Sequence, residues 1–246
     1  MNVAFPILIS IITMFLLGST FGIFKGIFSA IFLTFIIALG VLMTFFVSKI
    51  LSLTVLKGIS SNFTLELPPY RKPQIFKTII RSIFDRTLFV LGRAIIVSVP
   101  AGIVIWIMAN IMINGESLLF YITNFLDPLA NIMGLDGVIL MAFILGIPAN
   151  EIVIPIIIMA YLKGNSLMEI NDLNILKELL INNGWTINTA VSTIIFTLFH
   201  WPCSTTLLTI KKETGSFKWT ALAFLIPTLI GIFLCSFLTL MFNIIF

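Results

Sequence analysis

Charge is scarce in this sequence: of 246 residues only 10% are Asp, Glu, Lys or Arg, against 59% hydrophobic, and the mean hydropathy is +1.17. That balance excludes a soluble globular domain, which carries about 25% charged residues, and leaves lipid as the medium the chain requires. Cysteine is nearly absent too. Cys203 and Cys235 are the only two, without CxxC spacing, so neither a disulfide framework nor a zinc ribbon is supported. No Gly-x-x-x-x-Gly-Lys-Ser/Thr run occurs, which excludes the nucleotide-cradling loop of that type. No basic stretch precedes the first apolar run and no small-residue cleavage site follows it, so residues 3–24 are expected to stay as a membrane span. No paired catalytic constellation stands outside the apolar runs, so an enzyme is not expected, and neither is a nucleic-acid partner.

What is present is a series of long apolar runs. Twenty-four Phe and ten Met suit lipid contact and loose helix packing, and the chain has room for a handful of spans at about 20 residues each. The expected fold class is all-α, a polytopic integral membrane protein with discontinuous, Pro-broken or re-entrant helices. Residues 3–24 and 27–47 read as a hairpin punctuated at Lys25-Gly26, with Gly18, Gly22 and Gly26 spaced for close helix packing.

Residues 49–93 carry eight basic and two acidic side chains, a net +6 that exceeds the +4 of the whole chain. The positive-inside rule places them in the cytoplasm. Within them residues 74–93 set Ile75, Ile79 and Ile83 on one helical face, with Lys77, Arg81 and Arg86 largely opposite, as in a helix lying among lipid headgroups. A third span covers 94–113. Three organisational units follow: a hairpin over 1–48, a basic linker over 49–93 and a second membrane unit over 94–246.

Beyond the third span the charge alternates. Residues 114–136 carry only Glu116, Asp127 and Asp136, residues 163–187 net −1, and residues 211–218 net +2. Both acidic segments stay outside and both basic ones inside if residues 137–162 dive into the membrane and return as a re-entrant hairpin turning near Pro148. A full crossing there would put Lys211 and Lys212 outside. Asp127-Pro128 reads as a turn or cap in an external interfacial helix, and Trp185, Trp201 and Trp219 as interfacial anchors.

Two Pro-broken apolar segments hold nearly all the embedded polar chemistry, the pattern of discontinuous helices at a transport site. In the first, Pro148 and Pro155 lack amide hydrogens and free the carbonyls of Ile144 and Glu151 for another partner, a cation among them. Glu151 is the acidic side chain lying deep in an apolar run, where even lenient scales charge about 2.5–3.5 kcal/mol for an ionised group. A carboxylate held there at that cost points to function; the alternative is a Glu neutralised by a basic neighbour or protonated by desolvation. In the second, Pro202 suits the first turn of a new half-helix and would set Cys203 at its N-terminus. His200, the single histidine, is three residues away. Imidazole and thiolate suit borderline metals such as Fe(II), while a carboxylate adds a harder oxygen. A packed histidine bonded to a carbonyl is an equal reading of His200, and Cys235 reads as an inert apolar thiol. The candidate metal-contacting set is therefore Cys203, His200, Glu151 and its neighbour Asn150.

Three stretches give these residues a family likeness. Glu66-Leu67-Pro68-Pro69-Tyr70-Arg71 with the amphipathic helix after it, Pro148-Ala149-Asn150-Glu151-Ile152, and Phe199-His200-Trp201-Pro202-Cys203 trailed by residues 212–219 run in the order seen in the ferrous iron transport protein B (FeoB) family. The resemblance is to the linker between its two gate regions and to its second gate. It implies Fe(II) uptake across the bacterial cytoplasmic membrane, Fe(II) as transported ion with no permanently bound cofactor, and control by a GTPase domain. That domain and most of the first gate find no counterpart here, so the expected partners are the lipid bilayer and a chain bearing both, with a homo-oligomer left open. Two alternatives differ in class: a gate-fold carrier of another divalent metal or an organic solute, and a non-conducting scaffold or remnant.

The charge arithmetic makes a topology testable. Cysteine-scanning accessibility should place Lys57 and Lys212 on the cytoplasmic side and Glu116 and Glu169 outside; a cytoplasmic Glu169 would require 137–162 to be a full span.

Overall fold

In hydrocarbon the backbone finds no water to bond with, so helices, which pair every interior N–H and C=O within themselves, are what an apolar chain of this kind must form. The computed structural model describes residues 22–54, 75–82, 84, 88–113, 115–164, 166–167, 170 and 172–245, and it is helical almost throughout. The Glu66–Arg71 motif, Lys57, Glu169 and residues 1–21 of the expected 1–48 hairpin lie outside the described residues. In chain order the helices are α1 (Gly22–Thr54), α2 (Ile75–Ser82), α3 (Phe89–Asn110), α4 (Leu118–Ile132), α5 (Gly137–Leu145), α6 (Val153–Tyr161), α7 (Leu173–Asn182), α8 (Ile187–Phe199), α9 (Ser204–Thr214) and α10 (Phe217–Ile245). A two-residue ribbon, β1 (Met112–Ile113) against β2 (Glu116–Ser117), joins α3 to α4 in antiparallel register.

Among the described residues, three stretches are long and apolar enough to cross a bilayer: Ala30–Thr54 in α1, Ile187–Thr214 across α8 and α9, and Phe217–Ile245 in α10. Where a hairpin turn is expected at Lys25-Gly26, α1 instead runs straight through. One interior glycine costs a helix only about 1 kcal/mol, less than unpairing backbone in an apolar medium. α2 exposes Phe76, Ile79 and Ile80 as well as Lys77 and Arg81, a surface suited to the headgroup layer.

The core forms where α4, α5, α6, α8 and α10 pack together. α4 and α5 meet at 107°, so with α5 upright α4 lies roughly in the membrane plane, showing Phe125, Leu129 and Ile132 to its surroundings. Pro128 sits inside α4, and Asp127 caps a different helix from the expected one: its Oδ1 accepts the Gly137 N–H at 2.9 Å, at the start of α5. α5 and α6 form an antiparallel pair. The Tyr161 hydroxyl, at the end of α6, donates to Asp136, the N-cap of α5, and accepts the Trp185 Nε1–H at 2.7 Å. Trp185 is thus buried in a polar tie between the hairpin and the foot of α8, not spread on the surface as an anchor.

The α4–α5 corner depends on Gly134, whose φ of +69° lies in the left-handed region. A Cβ there would meet Thr239 Oγ1 at 2.3 Å, Asn188 Nδ2 at 2.8 Å and Ser192 Oγ at 2.9 Å. Gly134→Ala should therefore destabilise the detergent-solubilised chain by about 2 kcal/mol or more, from backbone strain and overpacking together. A thermal-unfolding midpoint equal to that of the unaltered chain would show that the corner is not a packing constraint.

Candidate functional site

The first break begins at Gly146, where a Cβ would come within 2.5 Å of Val153 Cγ2, so the two arms of the hairpin approach as closely as glycine allows. Pro148 cannot continue α5, and a 3-10 turn at Asn150–Ile152 leads into α6, with Pro155 in its first turn, where a missing N–H costs nothing. Pro148 is expected to leave the Ile144 carbonyl free for a cation, but that oxygen accepts the Ile147 N–H at 3.3 Å. The freed acceptor is Ile147 instead. Its carbonyl takes two bonds from Ser204, the backbone N–H at 2.8 Å and the hydroxyl at 3.1 Å. Ser204 is the first residue of α9, so the end of one break is held by the start of the half-helix after the other.

The second break starts after Phe199. His200 closes α8 with its N–H on the Phe196 carbonyl at 2.7 Å, and Cys203 is the N-cap of α9 in extended backbone, with Pro202 just outside the helix rather than in its first turn. Cys203 Sγ lies 3.1 Å from Thr205 Oγ1 and 3.2 Å from Thr206 Oγ1. Cys235 is fully buried, its thiol donating to the Ser192 carbonyl at 3.4 Å.

His200 Nδ1 is 2.8 Å from the Thr197 carbonyl oxygen. A carbonyl only accepts, so Nδ1 carries the hydrogen and the neutral ring keeps its lone pair on Nε2, the arrangement in which a histidine can ligate a metal. The ring is buried beside Phe143 of the hairpin, centroids 5.1 Å apart. Trp201 is buried as well, stacked on Phe224 at 5.6 Å, so its expected role as an interfacial anchor gives way to packing around the break.

A cavity of about 1040 Å³ opens where the two breaks meet. Asn150, Glu151, Thr197 and His200 form one side of it and α1 another, with Ile226, Pro227 and Ile230 of α10 completing the lining. Glu151 is exposed there. His200 Nε2 and Asn150 Oδ1 are shielded and have no hydrogen-bond partner among the described residues. Three of the four expected site residues therefore share one wall, while Cys203 stands just behind it among threonine hydroxyls. Among the described residues no three His, Cys, Asp or Glu side chains converge on a point, so there is no closed metal cage. Two orphaned lone pairs and one carboxylate can pass a cation along more readily than they can trap it. Ser204 went unrecognised from sequence. The signal for it is its place directly after Pro202-Cys203, where a small hydroxyl at a helix start has a free N–H to offer.

Residues 91–217 match the gate family described as "Nucleoside recognition", and residues 33–86 match "Ferrous iron transport protein B C terminus". The chain is similar to the Fe(2+) transporter FeoB of Staphylococcus aureus (strain MSSA476), 31% identical over 222 residues that cover 84% of this chain and 31% of that protein. It is also similar to the Fe(2+) transporters FeoB of Campylobacter jejuni, 26% identical over 201 residues (76% of this chain, 32% of that protein), and of Leptospira interrogans serovar Lai, 26% over 218 residues (78% and 30%). The chain thus spans just under a third of the length of these curated relatives. No solved structure matches it.

The link between the two breaks can be weakened without removing it. Ser204→Ala keeps the backbone bond to Ile147 and deletes the hydroxyl bond, a loss of about 1 kcal/mol. Cys203, next in the chain, should then react faster with a maleimide; an unchanged rate would mean that the hydroxyl does not hold the break closed.

Proposed function

This chain belongs to the gate family, in the form joined to the C-terminal segment of ferrous iron transport protein B, and on that premise we propose that it forms part of the membrane path of an Fe(II) uptake system. The observation that carries the proposal is the pair of orphaned acceptors, His200 Nε2 and Asn150 Oδ1, set beside the Glu151 carboxylate in one cavity wall. Each unpaired buried acceptor costs about 1–3 kcal/mol, a cost that a passing divalent cation would offset. Imidazole, amide and carboxylate donors with a thiol behind them match the intermediate softness of Fe(II).

Depth supports a transport role. The nine residues of α5 span about 13 Å, nearly half of a hydrocarbon core of about 30 Å, and the thirteen of α8 about 20 Å, so both breaks come near the bilayer middle. With the basic residues 49–93 and Lys211-Lys212 in the cytoplasm, Glu116 and Trp185 lie outside, and 137–162 is a re-entrant hairpin entering from that side. The cavity then runs from the midplane along the cytoplasmic half of α1. In this proposal the membrane is the bacterial cytoplasmic membrane, and GTP hydrolysis belongs to a domain outside this sequence that acts together with a first gate. A second reading, an organic solute as cargo, draws on the cavity's volume, which exceeds what an ion needs.

The two readings separate at Cys203. Fe(II), supplied anaerobically, should protect Cys203 from alkylation in membranes, and Cys203→Ser and Glu151→Gln should each lower Fe(II) uptake by the active complex about tenfold at equal membrane abundance. Wild-type flux in both variants would make these residues packing groups; protection by a nucleoside but not by Fe(II) would favour the organic solute.

A further inference from the structure

The face of α1 that looks across the cavity breaks the apolar character of its own helix. Ala30–Thr54 has a mean hydropathy of 2.7, yet the cytoplasmic half of its cavity-facing side carries Thr44 and Ser48, one turn apart, next to the thioether of Met43. Thr44 Oγ1 donates its hydrogen to the Gly40 carbonyl at 2.8 Å, which leaves the lone pairs of that oxygen unused. Gly40 also brings α1 against α8: a Cβ there would touch Leu198 Cδ2 at 3.4 Å. Beyond that contact Thr44 and Ser48 line the same cavity as Glu151, Asn150 and His200.

An ion that leaves the orphaned acceptors at the midplane for the cytoplasm has to cross this space without its full hydration shell or regain water inside it. A wall of side-chain oxygens serves both cases. In lipid alone Thr44 and Ser48 would gain nothing from facing a cavity rather than packing against a neighbouring helix. We propose that Thr44 and Ser48 form the second wall of the ion path, taking the divalent cation from Glu151 and His200 and passing it toward the cytoplasm, with Met43 as an adjoining soft donor. The path is then built across both matched segments, α1 in residues 33–86 and the gate in residues 91–217, and neither segment lines it alone. This inference rests on the gate wall being an Fe(II) site.

The test keeps the two claims apart, using the full chain in its membrane. Anaerobic Fe(II) protection of Cys203 in the unaltered chain reads the gate wall by itself. In a Cys203→Ser, Cys235→Ala background, Ser48→Cys introduces a thiol into the opposite wall, and Cd2+ is the soft divalent probe. Cd2+ should protect that thiol from maleimide, and adding His200→Ala or Glu151→Gln should raise the concentration needed by roughly tenfold or more. A thiol introduced by Phe35→Cys on the exposed, lipid-facing side of α1 should gain no protection. Protection that survives both gate substitutions, or no protection at all, would overturn the shared wall. Cd2+ bridging without Fe(II) protection of Cys203 would uphold the wall and remove iron as its cargo. As a transport readout, Thr44→Val with Ser48→Ala should raise the KM for Fe(II) at unchanged membrane abundance. An unchanged KM alongside a reduced amount of protein would mean that the two hydroxyls serve only folding.

Discussion

An unpaired carbonyl in hydrocarbon costs several kcal/mol, so a helix can be interrupted in the membrane only where something else takes up its backbone. The Ile147 carbonyl, left without a helical partner where α5 ends, is that problem in this protein, and Ser204 resolves it with a backbone N–H and a hydroxyl on one oxygen. The solution is reciprocal. The amide at the start of α9 would be as costly unpaired as the carbonyl at the end of α5, and each break supplies what the other lacks. Because of that pairing, Asn150 and Glu151 on the hairpin stand in the same cavity as His200, although some fifty residues separate them in the chain.

A second tie holds the hairpin at its other end. Asp136, Tyr161 and Trp185 form a chain of hydrogen bonds joining the start of α5, the end of α6 and the foot of α8. Bound at the tip through Ser204 and at the base through Trp185, the hairpin is fixed in both height and rotation. Its apolar flanks, Phe143 against Phe196 at 4.9 Å and against His200, fill the space between the ties and shut water out from that side. The opposite side, toward α1, is left open. The asymmetry follows from where the polar ties fall, since neither tie reaches α1, which meets the core through apolar contacts around Ile36 and Gly40.

The chemistry within that asymmetry is deliberately incomplete in ligands. A closed set of three or four charged donors would hold a divalent ion too firmly to let it leave, and the described residues contain no such set. What they present is a set of separate groups: an imidazole lone pair and an amide oxygen without partners, a carboxylate open to the cavity, and a thiol among hydroxyls one step behind. In the proposed path, binding to any one of them would be weak enough to be exchanged for the next.

Composition and charge pattern were enough to make this a helical membrane protein, because apolar excess and the basic bias of one segment act through bulk solvation and need no particular contacts. Pro148, Pro202, Glu151 and His200 were legible for the same kind of reason: a proline or an acid inside an apolar run is expensive wherever it is placed. Helix continuity at Lys25-Gly26, the burial of Trp185 and Trp201, and the capping of α5 by Asp127 from the neighbouring helix could not be read that way. Each depends on which groups meet across the fold, and a local signal cannot carry that. The site divides along the same line. Sequence identified the unusual residues, whereas the tertiary structure brought His200, Asn150 and Glu151 to one wall, set Cys203 behind it and assigned Ser204 its role, because backbone unpaired by two separate breaks could be satisfied only where the breaks came together.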